Sequence, residues 1–405
     1  MEEDKIYQQI SLFEFMYEPK VITKPIRLIE LFAGIGSQFK ALRMLTDQVE
    51  SYKICEWAFN SYCAYNAIHI KDFQDYSKGL SKEELIKKVR GTSINYNEPL
   101  TDKQLNSKPI EWLRKAYNNI VATHNLVDIM NVKGKDLEIV DTDKYEYIMT
   151  YSFPCQDLSL AGKRQGMSTS QADGGTRSGL LWEVERILNE LERERERDVS
   201  TLPQILLMEN VPQVICPDFT KWQLKLEQLG YRNYVEILNA KDYGIPQNRN
   251  RCFMVSILGN YSYKFPMKIK LDHKLKDFLE TNVDEKYYLS DKMIKYITAT
   301  NEKWTGNNSG AIVNRTTACT INTAPTQRRC DASNYVAEDL PENADLRKVN
   351  GGGLLDNEPT FACDFRYDEG VRGREDYEVC PTITTHSSGF SGTPLISNKK
   401  LKKGS

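Results

Sequence analysis

The sequence lacks the patterns that mark metal sites, disulfide frameworks and membrane spans. Only four histidines occur in 405 residues, and the nine cysteines are scattered with no C-x-x-C pair. An odd, dispersed set of thiols in a long chain argues against a disulfide framework. No apolar run approaches the roughly 18 residues of a membrane span, and the acidic start MEEDKIYQQ is unlike a signal peptide. We expect a cytoplasmic protein with no metal, no membrane contact and mostly reduced cysteines.

Charge of one sign is not in excess either. The 54 lysines and arginines nearly balance 56 acidic residues, which gives a net charge of -2. This balance excludes a histone-like protein that coats DNA by bulk electrostatics, but it leaves room for nucleic-acid binding in a local basic cleft. The hydrophobic fraction of 40% is too high for a disordered chain. At about 100–200 residues per domain, the length indicates two or three domains.

Short apolar segments alternate with helical patterns between Arg27 and Leu258. Six segments predict strands: RLIELFAG, YKICEWA, YEYIMTYSF, QILLMENV, NYVEILNA and RCFMVSIL. Several are apolar on both faces, as in a parallel sheet that helices cover on both sides. The segments SQFKALRML, SGLLWEVERILNELERERER and FTKWQLKLEQLG predict helices between them. The alternation predicts an α/β fold with a doubly wound, mostly parallel, Rossmann-like sheet.

The composition changes after Leu258. Residues 306–397 are rich in glycine, asparagine, threonine and serine, which predicts turns and short strands. The sequence therefore divides into an N-terminal arm (1–26), a larger α/β domain (27–258) with a helical insertion (70–125), a smaller, irregular, β-rich domain (259–397) and a basic tail (398–405).

A glycine-rich turn follows the first predicted strand. Gly34 and Gly36 allow a tight turn and let a ligand approach the N-terminus of the next helix. This turn alone fits a plain strand–helix connection equally well. The second strand, however, ends at Glu56, where an acid can bind a pair of ribose hydroxyls. Trp57 beside it offers a flat face for adenine. Together these residues predict a cofactor that contains adenosine.

Three further motifs place reactive groups at strand ends. Cys155 follows the third strand and heads a loop rich in Gly, Ser, Lys and Arg, which favours a nucleophile over a buried structural cysteine. Glu209 ends the apolar strand QILLM, where a carboxylate needs a task or a partner. The alternation in QNRNRC places Gln247, Arg249 and Arg251 on one strand face. Such a face suits a phosphate, a base edge or a carboxylate.

The ordered motifs FAGIG, EW, PCQ, ENV and QNRNR resemble those of the cytosine-C5 DNA methyltransferases. The resemblance runs from Arg27 to about Leu258, and PCQDLS followed by GTRSGLLWE is similar to the bacterial and phage members. It implies a DNA (cytosine-5-)-methyltransferase of a modification system, with S-adenosylmethionine as cofactor and double-stranded DNA as substrate. It also implies a target cytosine flipped out of the duplex, and a target-recognition domain at residues 259–397.

The resemblance also implies a role for each motif residue. Cys155 would add to carbon 6 of cytosine, protonated Glu209 would donate to N3 with support from Asn210, Arg251 would lie near O2, and Arg249 near the nucleophile. The cofactor residues would be Phe32, Gly34, Gly36, Glu56, Trp57, Asp128, Ile129, Pro154 and Leu181. The expected DNA contacts are Gln156, Ser159, Lys163, Arg164 and Arg177 in a lid over the base, Gln247, and Arg328, Arg329, Arg366 and Arg372 in the second domain.

One part of the family pattern has no counterpart here. Family members usually end with a Thr-Pro-Arg-Glu-type helix, a Gly-Asn-Ser turn and a last helix that covers the cofactor, and the sequence shows none of these. A shortened chain, a second polypeptide or replacement by the arm 1–24 would each explain the difference. Two other functions therefore stay open: a non-catalytic DNA-binding relic or one subunit of a split enzyme, and a tRNA cytosine-5 methyltransferase. The large segment 259–397 favours duplex DNA.

Overall fold

A computed structural model describes residues 17–95, 98–154, 177–196 and 201–279, with short pieces at 312–314, 316–319, 336–337, 344–345 and 361–362. Within these ranges, no helix is both long enough and apolar enough to cross a membrane.

A six-stranded sheet forms the centre of the fold. Its strands are β1 (Ile26–Leu31), β2 (Val49–Cys55), β3 (Glu146–Tyr151), β4 (Ile205–Asn210), β5 (Tyr231–Asn239) and β7 (Asn250–Leu258). The two-residue strand β6 (Gln247–Asn248) lies outside this sheet. The order across the sheet is β2-β1-β3-β4-β7-β5. The strands β1 to β4 pair in parallel, whereas β7 is antiparallel to both of its neighbours. The predicted mostly parallel α/β sheet is confirmed.

Seven helices connect these strands in the described part of the chain. They are α1 (Ser37–Leu45), α2 (Phe59–Tyr65), α3 (Lys82–Lys88), α4 (Asp102–Asn106), α5 (Ile110–Ala122), α6 (Leu181–Arg195) and α7 (Pro217–Gln228). Helices α3 and α4 begin with capping boxes, in which Ser81 and Thr101 accept a backbone N–H at the helix start. Helices α3 to α5 lie inside the segment 70–125, whose bounds as an insertion stay a prediction.

The core lies on both faces of the sheet. In β1, Ile26 and Leu28 pack with residues of α1, α2 and α5, whereas Ile29 and Leu31 pack with residues of α6 and α7. This alternation follows from the two-residue period of a strand. All six residues of β3 are buried. The continuous apolar pattern of the sequence therefore corresponds to a sheet with helices on both sides.

The described part of the N-terminal arm crosses the edge of the sheet where the parallel strands begin. Lys20 Nζ lies 2.7 Å from an oxygen of Glu146, the first residue of β3. Lys24 Nζ donates to the Thr142 carbonyl at 2.6 Å, and the main-chain carbonyl of Glu18 accepts the Ser262 N–H at 2.9 Å. Cofactors of this fold bind at the opposite, carboxyl edge. Residues 17–24 therefore do not cover that edge, and residues 1–16 of the predicted arm lie outside the described residues.

After β7 the chain turns back along β5, in a run that we call the return segment (259–269). Near the start of β5, the Tyr234 hydroxyl donates to the Tyr261 carbonyl at 2.5 Å. Beyond the end of β5, Ile269 N–H donates to the Asp242 carbonyl at 2.9 Å. The return segment thus leads the chain from the amino edge of the sheet to its carboxyl edge. The two-residue strands that follow, at Ile312–Val313, Ala318–Cys319, Val336–Ala337, Ala344–Asp345 and Phe361–Ala362, lie in the predicted second domain, whose boundaries stay a prediction.

Candidate active site

The ends of β1 to β4 and the start of β7 meet at the carboxyl edge of the sheet. Because β1 to β4 are parallel, the loops that follow Leu31, Cys55, Tyr151 and Asn210 share this edge. Because β7 runs the other way, it begins here, with Cys252 opposite Asn210. The antiparallel strand therefore carries Arg249 and Arg251 to the same edge as the predicted cofactor and catalytic motifs.

The glycine turn after β1 has left-handed backbone at three positions: Phe32 (φ 60°), Gly34 (φ 56°) and Gly36 (φ 85°). The Phe32 N–H is fixed by the Cys55 carbonyl at 2.8 Å. A Cβ at Gly34 would meet nothing within 4 Å, whereas one at Gly36 would lie 2.6 Å from the Tyr65 ring and 2.7 Å from the His69 ring. Gly36 is thus required by packing, and Gly34 faces open space in which a ligand can approach the backbone.

The carboxylate of Glu56 holds this turn in place. Its two oxygens accept the Gly34 and Ala58 N–H groups, each at 2.8 Å. The side chain is buried, and burial raises the pKa of Glu56 to about 7. Each oxygen keeps a second lone pair, so the group can still accept a hydroxyl proton from a ligand. The sequence did not indicate Asn125, whose side-chain amide binds the backbone N–H and carbonyl of Glu56 at 3.0 and 2.9 Å.

The predicted adenine residues lie beside the end of β2. Leu126 N–H donates to the Ile54 carbonyl at 2.8 Å, which places the following Asp128 and Ile129 at this edge. Asp128 is buried and accepts the Met130 N–H at 3.1 Å, and burial raises its pKa. Trp57 is half-buried. Open space at Gly34, two buried carboxylates and a partly exposed indole suit a ligand with a ribose and an adenine, so these residues fit S-adenosylmethionine.

Glu209 lies at the centre of the predicted catalytic residues at this edge. Its Oε1 lies 2.8 Å from Arg251 Nε and 3.7 Å from Arg249 Nη2. Both arginine side chains are largely buried, at 12% and 15% exposure, whereas Glu209 is 24% exposed. The structure therefore brings these three predicted residues together, with the carboxylate as the most accessible member.

Asn210 and Gln38 connect the strand end that leads to Cys155 with its neighbours. Asn210 Nδ2 donates to the Phe153 carbonyl at 3.1 Å, which ties β4 to the segment after β3. Gln38, on α1, donates to the Ser152 hydroxyl at 3.0 Å. No sequence pattern indicated Gln38 beyond its place after the glycine turn. Helix α1, which follows the glycine turn, is thus bonded directly to Ser152 just after β3.

The remaining predicted residues divide into two groups. Leu181 is fully buried at the start of α6, Pro154 is half-buried, Arg177 begins a short 3-10 turn before α6, and Gln247 is buried in β6 beside Ala318. Outside the described residues lie Cys155, Gln156, Ser159, Lys163, Arg164, Arg328, Arg329, Arg366 and Arg372. Among the described side chains, no group of histidines, cysteines and carboxylates could hold a metal ion.

Comparison with known proteins identifies the family of this α/β protein. The model of the C-5 cytosine-specific DNA methylase family matches residues 80–353. The orphan methyltransferase M.SssI of Spiroplasma monobiae is 37% identical over 287 residues, which are 68% of this chain and 69% of the relative. The type II methyltransferase M2.ScrFI of Lactococcus lactis subsp. cremoris is 37% identical over 278 residues, or 66% and 71%. Among solved structures, the S. pombe Dnmt2 methyltransferase covers 78% of both chains at 17% identity, with a TM-score of 0.48. The chain belongs to the C-5 cytosine-specific DNA methylase family.

Proposed function

We propose that the chain transfers a methyl group from S-adenosylmethionine to carbon 5 of a flipped-out cytosine in a specific sequence of double-stranded DNA. One observation carries this proposal. At a single edge of the sheet, Glu209 is held by Arg251, Glu56 holds an open glycine turn, and the strand that leads to Cys155 lies between them. Family membership gives this arrangement its chemistry.

The cofactor would be held by the first three loops of the edge. Glu56 would accept the ribose hydroxyls, Trp57 and Ile129 would flank the adenine, and Asp128 would accept its amino group. Gly34 would let the rest of the molecule pass close to the backbone, since no side chain fills that space. The bound cofactor supplies an electrophilic methyl group.

The residues of this chain make the cytosine ring nucleophilic. The Cys155 thiolate forms a bond to carbon 6, and the electron pair of the carbon 5–carbon 6 double bond moves toward N3 and O2. Glu209 gives its proton to N3, which keeps the adduct neutral, and carbon 5 can then bond to the methyl group. A base next removes the carbon 5 proton, the double bond forms again, the bond to Cys155 breaks, and N3 returns its proton to Glu209.

The neighbouring residues fix this geometry. Arg251 and Arg249 approach the same oxygen of Glu209, so the other oxygen remains for the base. Asn210 anchors the Phe153 carbonyl and thereby the strand end that leads to Cys155. A cytosine in a stacked duplex cannot reach this edge, so it must be flipped out, which costs a few kcal/mol. The basic residues Lys163, Arg164 and Arg177 would contact the displaced DNA backbone.

Methyl transfer from labelled cofactor to duplex DNA tests the proposal. We expect labelled DNA with the native chain and with Cys63→Ala, a half-buried cysteine on α2 that serves as the control. Cys155→Ala should give only background label and should form no adduct with duplexes that contain 5-fluorocytosine. Retained methylation in Cys155→Ala would contradict the nucleophile assignment. Label in tRNA but not in DNA would replace the proposed substrate, and label only with an added second polypeptide would indicate a split enzyme.

A further inference from the structure

Helix α6 is fastened to the segment that carries Asp128 and Ile129 by one arginine. Arg186 lies in the middle of α6 and donates from Nε to Glu183 Oε2 at 2.8 Å and from Nη1 to Glu190 Oε1 at 2.9 Å. Its third nitrogen, Nη2, donates to an acceptor outside the helix, the main-chain carbonyl of Ile129, at 3.1 Å. One planar guanidinium therefore bonds three acceptors on two parts of the chain.

A second hydrogen bond joins α6 to the same segment a few residues further along the chain. Glu190 uses its other oxygen to accept the Gly134 N–H at 2.8 Å. A Cβ at Gly134 would lie 2.9 Å from the backbone nitrogen of Leu191, so only glycine lets the chain approach α6 this closely. Segment 128–134 is thus held against α6 at both ends, by Arg186 and by Glu190.

The ion pairs of Arg186 with Glu183 and Glu190 do not by themselves account for the position of its guanidinium. An exposed ion pair between neighbours on a helix contributes little to stability. The Glu183 side chain is only 6% exposed, however, and Arg186 directs one nitrogen toward a backbone carbonyl rather than toward solvent. The ion pairs orient the guanidinium, and the guanidinium orients Ile129.

From these contacts we infer that Arg186 is a positioning residue for cofactor binding, acting by holding the Asp128–Ile129 backbone in the place where the adenine is recognised. The inference rests on the proposed function, because that function assigns Asp128 and Ile129 to the adenine. It adds that α6, the helix next in the chain after the segment headed by Cys155, is part of the adenine site.

Binding of S-adenosylmethionine and S-adenosylhomocysteine to the full chain, measured by calorimetry, tests the inference. Arg186→Met should weaken both ligands by the same factor, about tenfold, as expected for the loss of one hydrogen bond from a charged group. The factor should be equal because the two ligands share the adenine. The kcat at saturating cofactor should not change. The cofactor affinity of Arg186→Lys should lie between those of the native chain and Arg186→Met, since one ammonium cannot reach three separate acceptors.

Two further variants separate positioning from general stability. Arg195→Met removes a similar i,i+3 pair on the same helix, in which Arg195 bonds Glu192 rather than a carbonyl of segment 128–134, so its cofactor affinity should be native. Gly134→Ala forces segment and helix apart and should weaken the cofactor while Arg186 is intact. A role in folding alone would lower the melting temperature of Arg186→Met without changing the cofactor Kd.

The outcomes that overturn the inference are distinct from failure of the proposed function. If Asp128→Ala weakens the cofactor but Arg186→Met does not, Arg186 does not position the adenine site and the proposed function stands. If neither variant changes the affinity of a chain that binds the cofactor, the adenine assignment and the inference both fail. If Arg186→Met does not fold, Arg186→Lys decides, and native affinity in that variant overturns the inference.

Discussion

Glu56 combines two tasks in one buried carboxylate. It fixes the glycine turn through the Gly34 N–H and the start of α2 through the Ala58 N–H. Burial raises its pKa to about 7, so a group that would be ionised in water titrates near neutral pH. Its protonation state and the cofactor it would bind are therefore linked, because a carboxylate accepts ribose hydroxyls better than a carboxylic acid does.

We expect cofactor affinity to rise as the pH increases from 6 to 8, by up to about tenfold, as Glu56 ionises. The stability of the free protein should show the opposite trend with pH. Because burial raises the pKa of Glu56, this group contributes stability at low pH that is lost as the pH rises through about 7. Calorimetric titrations at three pH values, with Glu56→Gln as the control, check the binding trend. Titration of the cofactor itself affects both proteins alike, so only the difference between their pH profiles reports on Glu56. An identical pH profile in both proteins would contradict the assignment.

The sequence could predict that Glu56, Trp57, Glu209 and Arg251 lie at an edge of the sheet, because each is at the end or the start of a strand that the apolar pattern predicts. It could not identify Asn125, Gln38 or Arg186. Their partners are 69, 114 and 57 residues away along the chain, and no local pattern records such contacts. Amide and arginine side chains are usually solvated, so only the folded arrangement distinguishes these three.

At the scale of elements, the glycine turn is the clearest case in which two similar residues differ in purpose. Gly34 and Gly36 both have positive φ, but only Gly36 is enclosed, by Tyr65 and His69 of the helical segment that follows β2. That segment also encloses the buried Glu30, which accepts the Phe39 N–H at 3.1 Å near the start of α1. The turn is thus packed against Tyr65 and His69 at Gly36 and open to a ligand at Gly34.

We expect Gly36→Ala to destabilise the protein by about 2–4 kcal/mol, because the new methyl group overlaps two rings and the backbone is left-handed. Gly34→Ala should cost only about 1–2 kcal/mol, since strain alone opposes it. Cofactor affinity should fall strongly in Gly34→Ala, whose methyl group enters the ligand space. Denaturant unfolding and calorimetry measure the two effects. Native cofactor affinity in Gly34→Ala would show that the ligand does not pass this turn.

The direction of β7 is a second feature of this scale. Its apolar pattern, RCFMVSIL, predicts a strand but carries no mark of direction. The sheet shows it antiparallel to β4 and β5, and this brings Arg251 within 2.8 Å of Glu209. The family resemblance implies only that both residues act on the target base; the physical reason for their contact, a reversed strand, appears only in the fold.

At the scale of the whole molecule, we predict that the chain after the return segment determines which DNA sequence is methylated. Arginine, glutamine and asparagine in segments such as TAPTQRRC can pair with base edges in the major groove. Exchange of residues 273–397 with the corresponding segment of M.SssI should give a protein that methylates the M.SssI target. Sequencing of the methylated cytosines reads the outcome, and methylation that stays at the parental target would assign specificity to the first domain.

Replacement of single arginines refines this prediction. A base-reading arginine at position 328 or 329 should cost about 1–3 kcal/mol on removal and relax specificity at one base pair. An arginine that binds phosphate should weaken all sequences alike and reduce the dependence of binding on salt.

The return segment has a consequence for how members of such a family can exchange parts. Since the Tyr234 hydroxyl is hydrogen-bonded to Tyr261 and the Ile269 N–H to Asp242, residues 259–269 are fastened to β5 and to the turn after it, although they follow the last strand of the sheet. A hybrid gene joined directly after Leu258 would give one parent's strand a foreign neighbour, whereas a junction beyond Ile269 keeps both of these bonds within a single parent. Workable recombination breakpoints, in the laboratory or in nature, should therefore cluster past residue 269.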